Sequence, residues 1–171
     1  MISPDFESVP PYYRGYVNQV RNLDLFDAFR QSAALSIDLV SSIPEEIGEY
    51  RYEPEKWSIK ELLCHVMDAE RIFAYRALRF ARNDKTPLSA FEENEYVPEA
   101  NAHARTLQQL ANEIGRLRET TIDLYKSFTP AMLLRKGSAN NTEVSVLNLG
   151  FIISGHEAHH RNILVDRYLK A

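Results

Sequence analysis

The chain has 171 residues, of which 44% are hydrophobic and 26% are charged, and this composition and length suit one globular domain with a sizeable core. Its net charge of −4 and the lack of any long Lys or Arg run argue against nucleic acid or an anionic membrane as a partner. A single cysteine, Cys64, an N-terminus unlike a signal peptide and the lack of any apolar stretch long enough to span a bilayer predict a cytoplasmic protein.

Four segments carry the apolar periodicity of helices, whereas the alternation typical of strands is nearly absent. In the second segment, Ser58 is a good N-cap and Glu61 completes a capping box, so a long helix begins there. Turn-forming residues from Gly137 to Thr142 separate the third segment from the last. The predicted helices cover about residues 24–40, 57–82, 101–128 and 145–168. We therefore expect an all-α fold, a four-helix bundle with one core.

A polar connection over about residues 83–99 joins the second and third helices, with Pro87 and Pro98 as breakers. It is long for a bundle, so the sequence predicts a long crossover between those two helices. Its aromatic residues, Phe91 and Tyr96, have two interpretations. In the interpretation that we favour, they anchor a loop on the surface of the protein. In the other, they fold over the mouth of a pocket.

His156 and His160 are four residues apart on the last predicted helix, which brings their imidazoles to one side of it. Both project to within about 30° of the centre of that helix's apolar stripe, whereas His159 lies at its edge, about 90° away. Two core histidines satisfied by backbone carbonyls or carboxylates would also explain the pattern. We favour a metal ion, because each buried ring leaves a polar nitrogen that needs a partner.

His65 lies midway along the second predicted helix and flanks its apolar face, about 80° from the centre of that face. Periodicity alone favours a boundary histidine paired with Asp68, although a third metal ligand from a facing helix stays possible. His103 is expected on the surface. Cys64 points about 100° away from His65 and is expected to fill the core or an interface.

Residues 156–160 also match H-E-x-x-H, the signature of zinc peptidases in which the glutamate, here Glu157, is the general base. The extended form of that motif fails, because Ile163 and Asp166 stand where glycine and histidine are required. Strands usual in such enzymes are missing too. We therefore interpret the match as mostly coincidental.

Three stretches resemble the DinB-like superfamily. Trp57–Arg71 (WSIKELLCHVMDAER) and Gly155–His160 (GHEAHH) look like its second-helix and fourth-helix signatures, and Arg76–Phe91 resembles its helix end and following loop. The resemblance covers most of the chain from about Leu23 onward. It implies a single four-helix-bundle domain over residues 1–171, with residues 1–20 as an N-terminal extension to which it assigns nothing.

The resemblance further implies one divalent metal ion held by His65, His156 and His160, with His159 not a ligand. Zinc, nickel and manganese are the metals associated with the family. Three imidazoles leave coordination positions open, as in catalytic sites. A nearby acid or base would be Glu157, Asp68 or Glu61, although we favour supporting or solvent-exposed roles for all three.

Members of the family include hydrolases and transferases that use low-molecular-weight thiols, and dimers are common. The resemblance therefore implies a metal-dependent enzyme, a thiol S-transferase or a hydrolase, that acts on a small-molecule substrate and forms a homodimer. The alternative is a non-catalytic metal-binding or stress-response interaction protein. An open pocket with a polar side above the ion would favour the enzyme, and a fourth protein ligand would favour the alternative.

Overall fold

The structure is a computed structural model that describes residues 1–170, and most of that chain is helical. The elements are α1 (Arg14–Asn18), α2 (Leu25–Ser42), α3 (Ile59–Ala81), α4 (Glu93–Glu99), α5 (Leu107–Lys126), α6 (Pro130–Leu133), β1 (Lys136–Ala139), β2 (Thr142–Ser145) and α7 (Val146–Ile163). Single turns of 3-10 helix lie at Phe6–Ser8, Pro11–Tyr13, Glu45–Ile47 and Ala102–Ala104, and a π-helical turn, Leu164–Tyr168, extends α7.

The four long helices, α2, α3, α5 and α7, form the predicted bundle, with the long connection between α3 and α5. Helix α7 packs against α2 and α3, while α5 packs against the same two helices from the other side. Every residue from Val146 to Ala158 on α7 is buried, because the short helix α1 covers the side that the other helices leave open. None of the helices in residues 1–170 has the length and apolar character that a bilayer crossing requires.

Polar side chains fix where the bundle helices begin. The predicted capping box of α3 is present: Ser58 Oγ accepts from Glu61 N at 3.2 Å, and Glu61 Oε2 accepts from Ser58 N at 2.7 Å. Helix α5 begins later than predicted, because Asn101 has a positive φ of 49° and Thr106 caps a fresh start at Leu107.

A β-hairpin, β1 and β2, replaces the turn predicted between the last two helices. Asn140 and Asn141 form its turn with positive φ values of 51° and 54°, a conformation that asparagine tolerates better than most residues. Each strand has only four residues, which is too short for a clear alternation in the sequence. In the α3–α5 connection, Pro98 lies inside the short helix α4 instead of breaking it.

A buried ion-pair network joins all four bundle helices. Arg118 of α5, only 1% exposed, donates to both carboxylate oxygens of Glu70 on α3, at 3.0 and 2.9 Å, and to Glu157 on α7, at 2.7 Å. It also donates to the carbonyl of Phe29 and to Ser32 Oγ on α2, at 2.6 and 2.7 Å. Because a buried charge is costly without such partners, the network holds the helices in one relative position.

Gly155 lets α1 approach α7. A Cβ atom at this position would collide with the backbone carbonyl of Tyr16, a backbone group that only a movement of α1 can displace. The N-terminal residues, to which the sequence assigned no role, are therefore part of the packed fold, and Val17 is completely buried.

We expect Gly155→Ala to lower the free energy of unfolding by about 1–3 kcal/mol, because the added methyl group overpacks the α1–α7 contact. Urea unfolding of the variant and the wild type measures the difference. Gly15→Ala is the matched control, since a Cβ there meets nothing within 4 Å. Equal loss of stability in both variants would contradict the close contact at Gly155.

Candidate metal centre

Three histidines from two helices meet inside the bundle. His156 Nε2 of α7 lies 3.2 Å from His65 Nε2 of α3 and 3.1 Å from His160 Nε2 of α7. The three side chains are nearly buried, with 7%, 6% and 9% exposure for His65, His156 and His160. We call them the trihistidine cluster.

The observed position of His65 differs from the one that helical periodicity predicts. The interpretation as a boundary histidine paired with Asp68 is wrong, because Asp68 pairs with Arg71 at 3.1 Å and His65 turns toward α7. The ring of Trp57, just before α3, packs against His65 with centroids 4.7 Å apart. The projection of a single helix placed His65 at the edge of the apolar face, but the neighbouring Trp57 and α7 complete its burial.

The cluster fits a divalent cation. Two imidazole nitrogens bound at about 2.0–2.1 Å to one tetrahedral zinc ion are separated by about 3.3–3.4 Å. The two distances from His156 Nε2 to its neighbours in the cluster, 3.1 and 3.2 Å, come within about 0.3 Å of that separation. In the described part of the chain, no cysteine or carboxylate joins the three histidines. The donor set is therefore three neutral nitrogens, which zinc, nickel and other borderline metals accept.

Burial keeps the three imidazoles neutral. It lowers the pKa of His65 from 6.5 to about 4, and burial followed by repulsion from neighbouring histidines lowers the pKa of His160 to about 3. The pKa of His156 falls well below its ordinary value for the same reasons. A metal ion binds the neutral form of histidine, so near pH 7 no proton has to leave these rings before an ion binds.

The other histidines and the cysteine lie outside the cluster. His159 faces outward from it and contacts the ring of Tyr16, at 5.1 Å between centroids. His103 is exposed, as expected, and Cys64 is buried, with Arg105 donating to its sulfur.

A cavity of about 600 Å³ opens beside the cluster and is lined by all three histidines; we call it the main cavity. Its walls are largely aromatic, and its polar groups include Arg76, Glu93 and the hairpin residues Asn140 and Thr142. The aromatic residues are Tyr12, Tyr13, Tyr16, Trp57, Phe73 and Phe91. Such a cavity, apolar with a few polar groups, is typical of a small-molecule site.

The two aromatic residues of the long connection have different positions. Phe91 lines the main cavity, whereas Tyr96 does not, although their rings pack together at 5.5 Å. Tyr16 was missed by the sequence analysis, because its role depends on α1 folding over α7. Burial raises the pKa of Tyr16 to about 12, so its hydroxyl stays protonated at neutral pH.

The three acidic candidates from the sequence lie away from the main cavity. Glu61 caps α3 and pairs with Arg51, and Asp68 pairs with Arg71. Glu157 is 2% exposed and its Oε2 accepts from Arg118. This position does not suit the general base of a zinc peptidase, which must reach the open side of the ion.

A second, small cavity lies behind the cluster. Three buried polar atoms without a hydrogen-bond partner in residues 1–170 belong to residues that border it: Ser36 Oγ, Glu157 Oε1 and His160 Nδ1. Its volume is about 10 Å³, roughly the room that one water molecule needs. Glu157 and His160, each with one unpartnered buried polar atom in residues 1–170, therefore border the same small, mostly apolar cavity.

Comparison with known proteins agrees with this architecture. The sequence profile of the DinB superfamily matches residues 28–164. The chain belongs to the DinB superfamily. Its fold is similar to that of YfiT from Bacillus subtilis, described as a probable metal-dependent hydrolase with an unusual four-helix bundle topology. That likeness has a TM-score of 0.75 and 12% sequence identity, and it covers 96% of this chain and 90% of YfiT. No curated protein sequence matches this chain significantly.

We expect the metal-free protein to lose stability as the pH falls from about 6.5 toward 4. The unfolded chain takes up protons on its histidines near pH 6.5, whereas folded His65 resists protonation until about pH 4, so acid favours unfolding. Urea unfolding after chelator treatment, repeated across this range, measures the slope. In a His65→Gln variant the unfolding free energy should change less steeply with pH. A slope equal to that of the wild type would contradict the attribution of this pH dependence to His65.

Proposed function

We propose that this protein is a metal-dependent enzyme that activates a water molecule or a thiol for attack on a small molecule held in the main cavity. The observation that carries the proposal is the trihistidine cluster at the wall of that cavity. His156 Nε2 lies 3.1–3.2 Å from the Nε2 atoms of the other two histidines, the ligand nitrogens of all three lie within 4.8 Å of one another, and the cavity leaves one side of them open.

The residues of the site have distinct roles in this proposal. His65, His156 and His160 would hold the ion, which when bound supplies Lewis-acid activation and lowers the pKa of a water or thiol toward neutrality. Trp57 and Phe73 keep bulk water from the rings of His65 and His156, with ring centroids 4.7 and 6.1 Å away. Tyr16, whose hydroxyl stays protonated, is a hydrogen-bond donor on the same wall.

The alternative function, a non-catalytic metal-binding or stress-response protein, has less support. A metal-storage or structural site is usually closed by a fourth protein ligand. In residues 1–170 the cluster has three residues that could hold an ion, and it borders a cavity large enough for a small molecule. This arrangement favours the enzyme.

Hydrolysis and thiol transfer remain two outcomes of the same proposal, because both start with a nucleophile activated at the open side of the ion. Zinc, nickel or manganese as the metal, a low-molecular-weight thiol as co-substrate, a homodimer and a cytoplasmic location are likewise proposals that follow from the family resemblance.

Glu157 fits the role of a positioning residue better than that of a catalytic acid or base. Its free Oε1 and the Nδ1 of His160 face the same small cavity, where one water could join them. A carboxylate that holds the far nitrogen of a ligating histidine fixes the tautomer and the direction of the ring.

We expect purified wild-type protein to hold about one divalent ion per chain and the His160→Ala variant to lose it, because two remaining imidazoles chelate poorly. Elemental analysis measures the metal. In His160→Ala, the reaction rates should fall in parallel with the metal content. The substrates are p-nitrophenyl acetate for hydrolysis and a thiol plus 1-chloro-2,4-dinitrobenzene for transfer.

His103→Ala is the control, since that side chain is exposed and far from the cluster in sequence. Equal metal content in wild type and His160→Ala would show that the ion lies elsewhere. Full metal loading without turnover in either assay, across several metals, would favour the non-catalytic alternative.

We expect Glu157→Gln to weaken metal binding by about 10- to 100-fold, the usual effect of removing a carboxylate that supports a ligating histidine. Glu70→Gln is the matched control: it also removes a carboxylate from Arg118, but Glu70 does not border the small cavity. Competition with a chromophoric chelator measures affinity, and thermal unfolding measures the stability that both variants lose. Equal metal affinity in the two variants would contradict a positioning role for Glu157.

A further inference from the structure

Arg76 lies on the wall of the main cavity and is a buried cation to which no carboxylate of residues 1–170 is paired. The side chain is only 4% exposed. Burial lowers its pKa, and of the described groups only Tyr13 opposes that effect. It donates a hydrogen bond to the carbonyl of Ser89 at 2.9 Å, and the hydroxyl of Tyr13 is its other polar neighbour. Glu93 lines the same cavity but makes no ion pair with it.

The other deeply buried arginine shows what a structural role requires in this fold. Arg118 is surrounded by Glu70 and Glu157 and donates to two further oxygens on α2. Its charge is neutralised within the protein. Among residues 1–170, Arg76 is also buried but has no carboxylate partner, so the N–H donors beyond those near Ser89 and Tyr13 are left for something that enters the cavity.

Helix α3 places Arg76 and the trihistidine cluster on the same wall. His65, Ala69, Phe73 and Arg76 follow one another at spacings of four, four and three, so they share one face, and all line the main cavity. Eleven residues separate the Cα atoms of His65 and Arg76 by about 16 Å along the axis.

Two aromatic rings hold the guanidinium group in place. The Arg76 Cζ atom lies 5.7 Å from the centroid of Phe73 and 5.9 Å from that of Phe91. A guanidinium confined in this way presents a fixed fork of donors, which matches the paired oxygens of a carboxylate or a phosphate. A neutral ligand would leave the buried charge uncompensated.

We infer that Arg76 binds an oxyanion on the small molecule that enters the main cavity, so the substrate is an anion whose reactive end faces the trihistidine cluster. The inference rests on the proposed function for the assignment of the reactive end. The anion preference itself depends only on Arg76 and the cavity.

The test uses a series of ω-mercaptocarboxylates of three to eight carbons, each compared with the ω-mercaptoalcohol of equal length. Calorimetric titration gives the dissociation constants for zinc-loaded and metal-free protein. At the length that spans the site, the carboxylate should bind about tenfold to a hundredfold more tightly than the alcohol. Matching ω-mercaptoalkylphosphonates show which oxyanion the site prefers.

Arg76→Gln should abolish this preference, and Arg76→Lys should keep part of it, because lysine retains the charge but not the fork. Arg82→Gln, an exposed arginine at the end of the same helix, is the control and should bind like the wild type. Equal affinity of the wild type for the carboxylate and the alcohol at every chain length would overturn the inference. Retention of the full preference by Arg76→Gln would also overturn it.

Thermal unfolding separates ligand binding from a role in the fold. Arg76→Gln should shift the melting temperature by no more than about 3 °C, whereas Arg118→Gln should lower it on the order of 10 °C, since that change strands two buried carboxylates. A loss at Arg76 equal to that at Arg118 would show a structural residue instead.

Failure of the proposed function would have a different signature. If zinc-loaded and metal-free protein bound every thiol equally, the cluster would not bind a thiol and the thiol-transfer half of the proposed function would fail. The carboxylate preference at Arg76 would still be measurable in both forms.

Discussion

The buried Arg118 network is the constraint on which the rest of the structure depends. Arg118 bonds to carboxylates on α3 and α7 and to backbone and hydroxyl oxygens on α2. Its geometry is satisfied only when the four helices have one particular register. Since Glu70 lies five residues after His65, and Glu157 directly follows His156, that register also sets how the histidines of α3 and α7 face one another.

The Glu157 carboxylate connects the stability of the bundle with the trihistidine cluster. One oxygen of Glu157 completes the ion pair, and the other faces the small cavity shared with His160. On the opposite side of the rings, the main cavity presents an apolar, aromatic wall. Desolvation by these surroundings keeps the imidazoles neutral at neutral pH, which is the protonation state that ligates a cation.

Periodicity and capping predicted the four bundle helices, because both signals depend on residues that are close together in the sequence. The capping box at Ser58 and the burial of His156 and His160 are properties of single helices. Periodicity could not place His65, whose surroundings come from Trp57 and α7, and only the family resemblance grouped it with His156 and His160. The hairpin was missed because its four-residue strands are too short to show alternation.

By itself, the sequence determined a helical bundle, its long α3–α5 connection and one histidine pair on a buried face. The helices and the histidine pair follow from the spacing of residues along single helices, and the connection is the polar stretch between two of them. Tertiary structure alone decided that α1 closes over Gly155 and that Arg118 pairs with both Glu70 and Glu157, whereas Arg76 pairs with no carboxylate of residues 1–170. The physical reason is that the partners of a buried charge come from other helices, at sequence separations that no local pattern records.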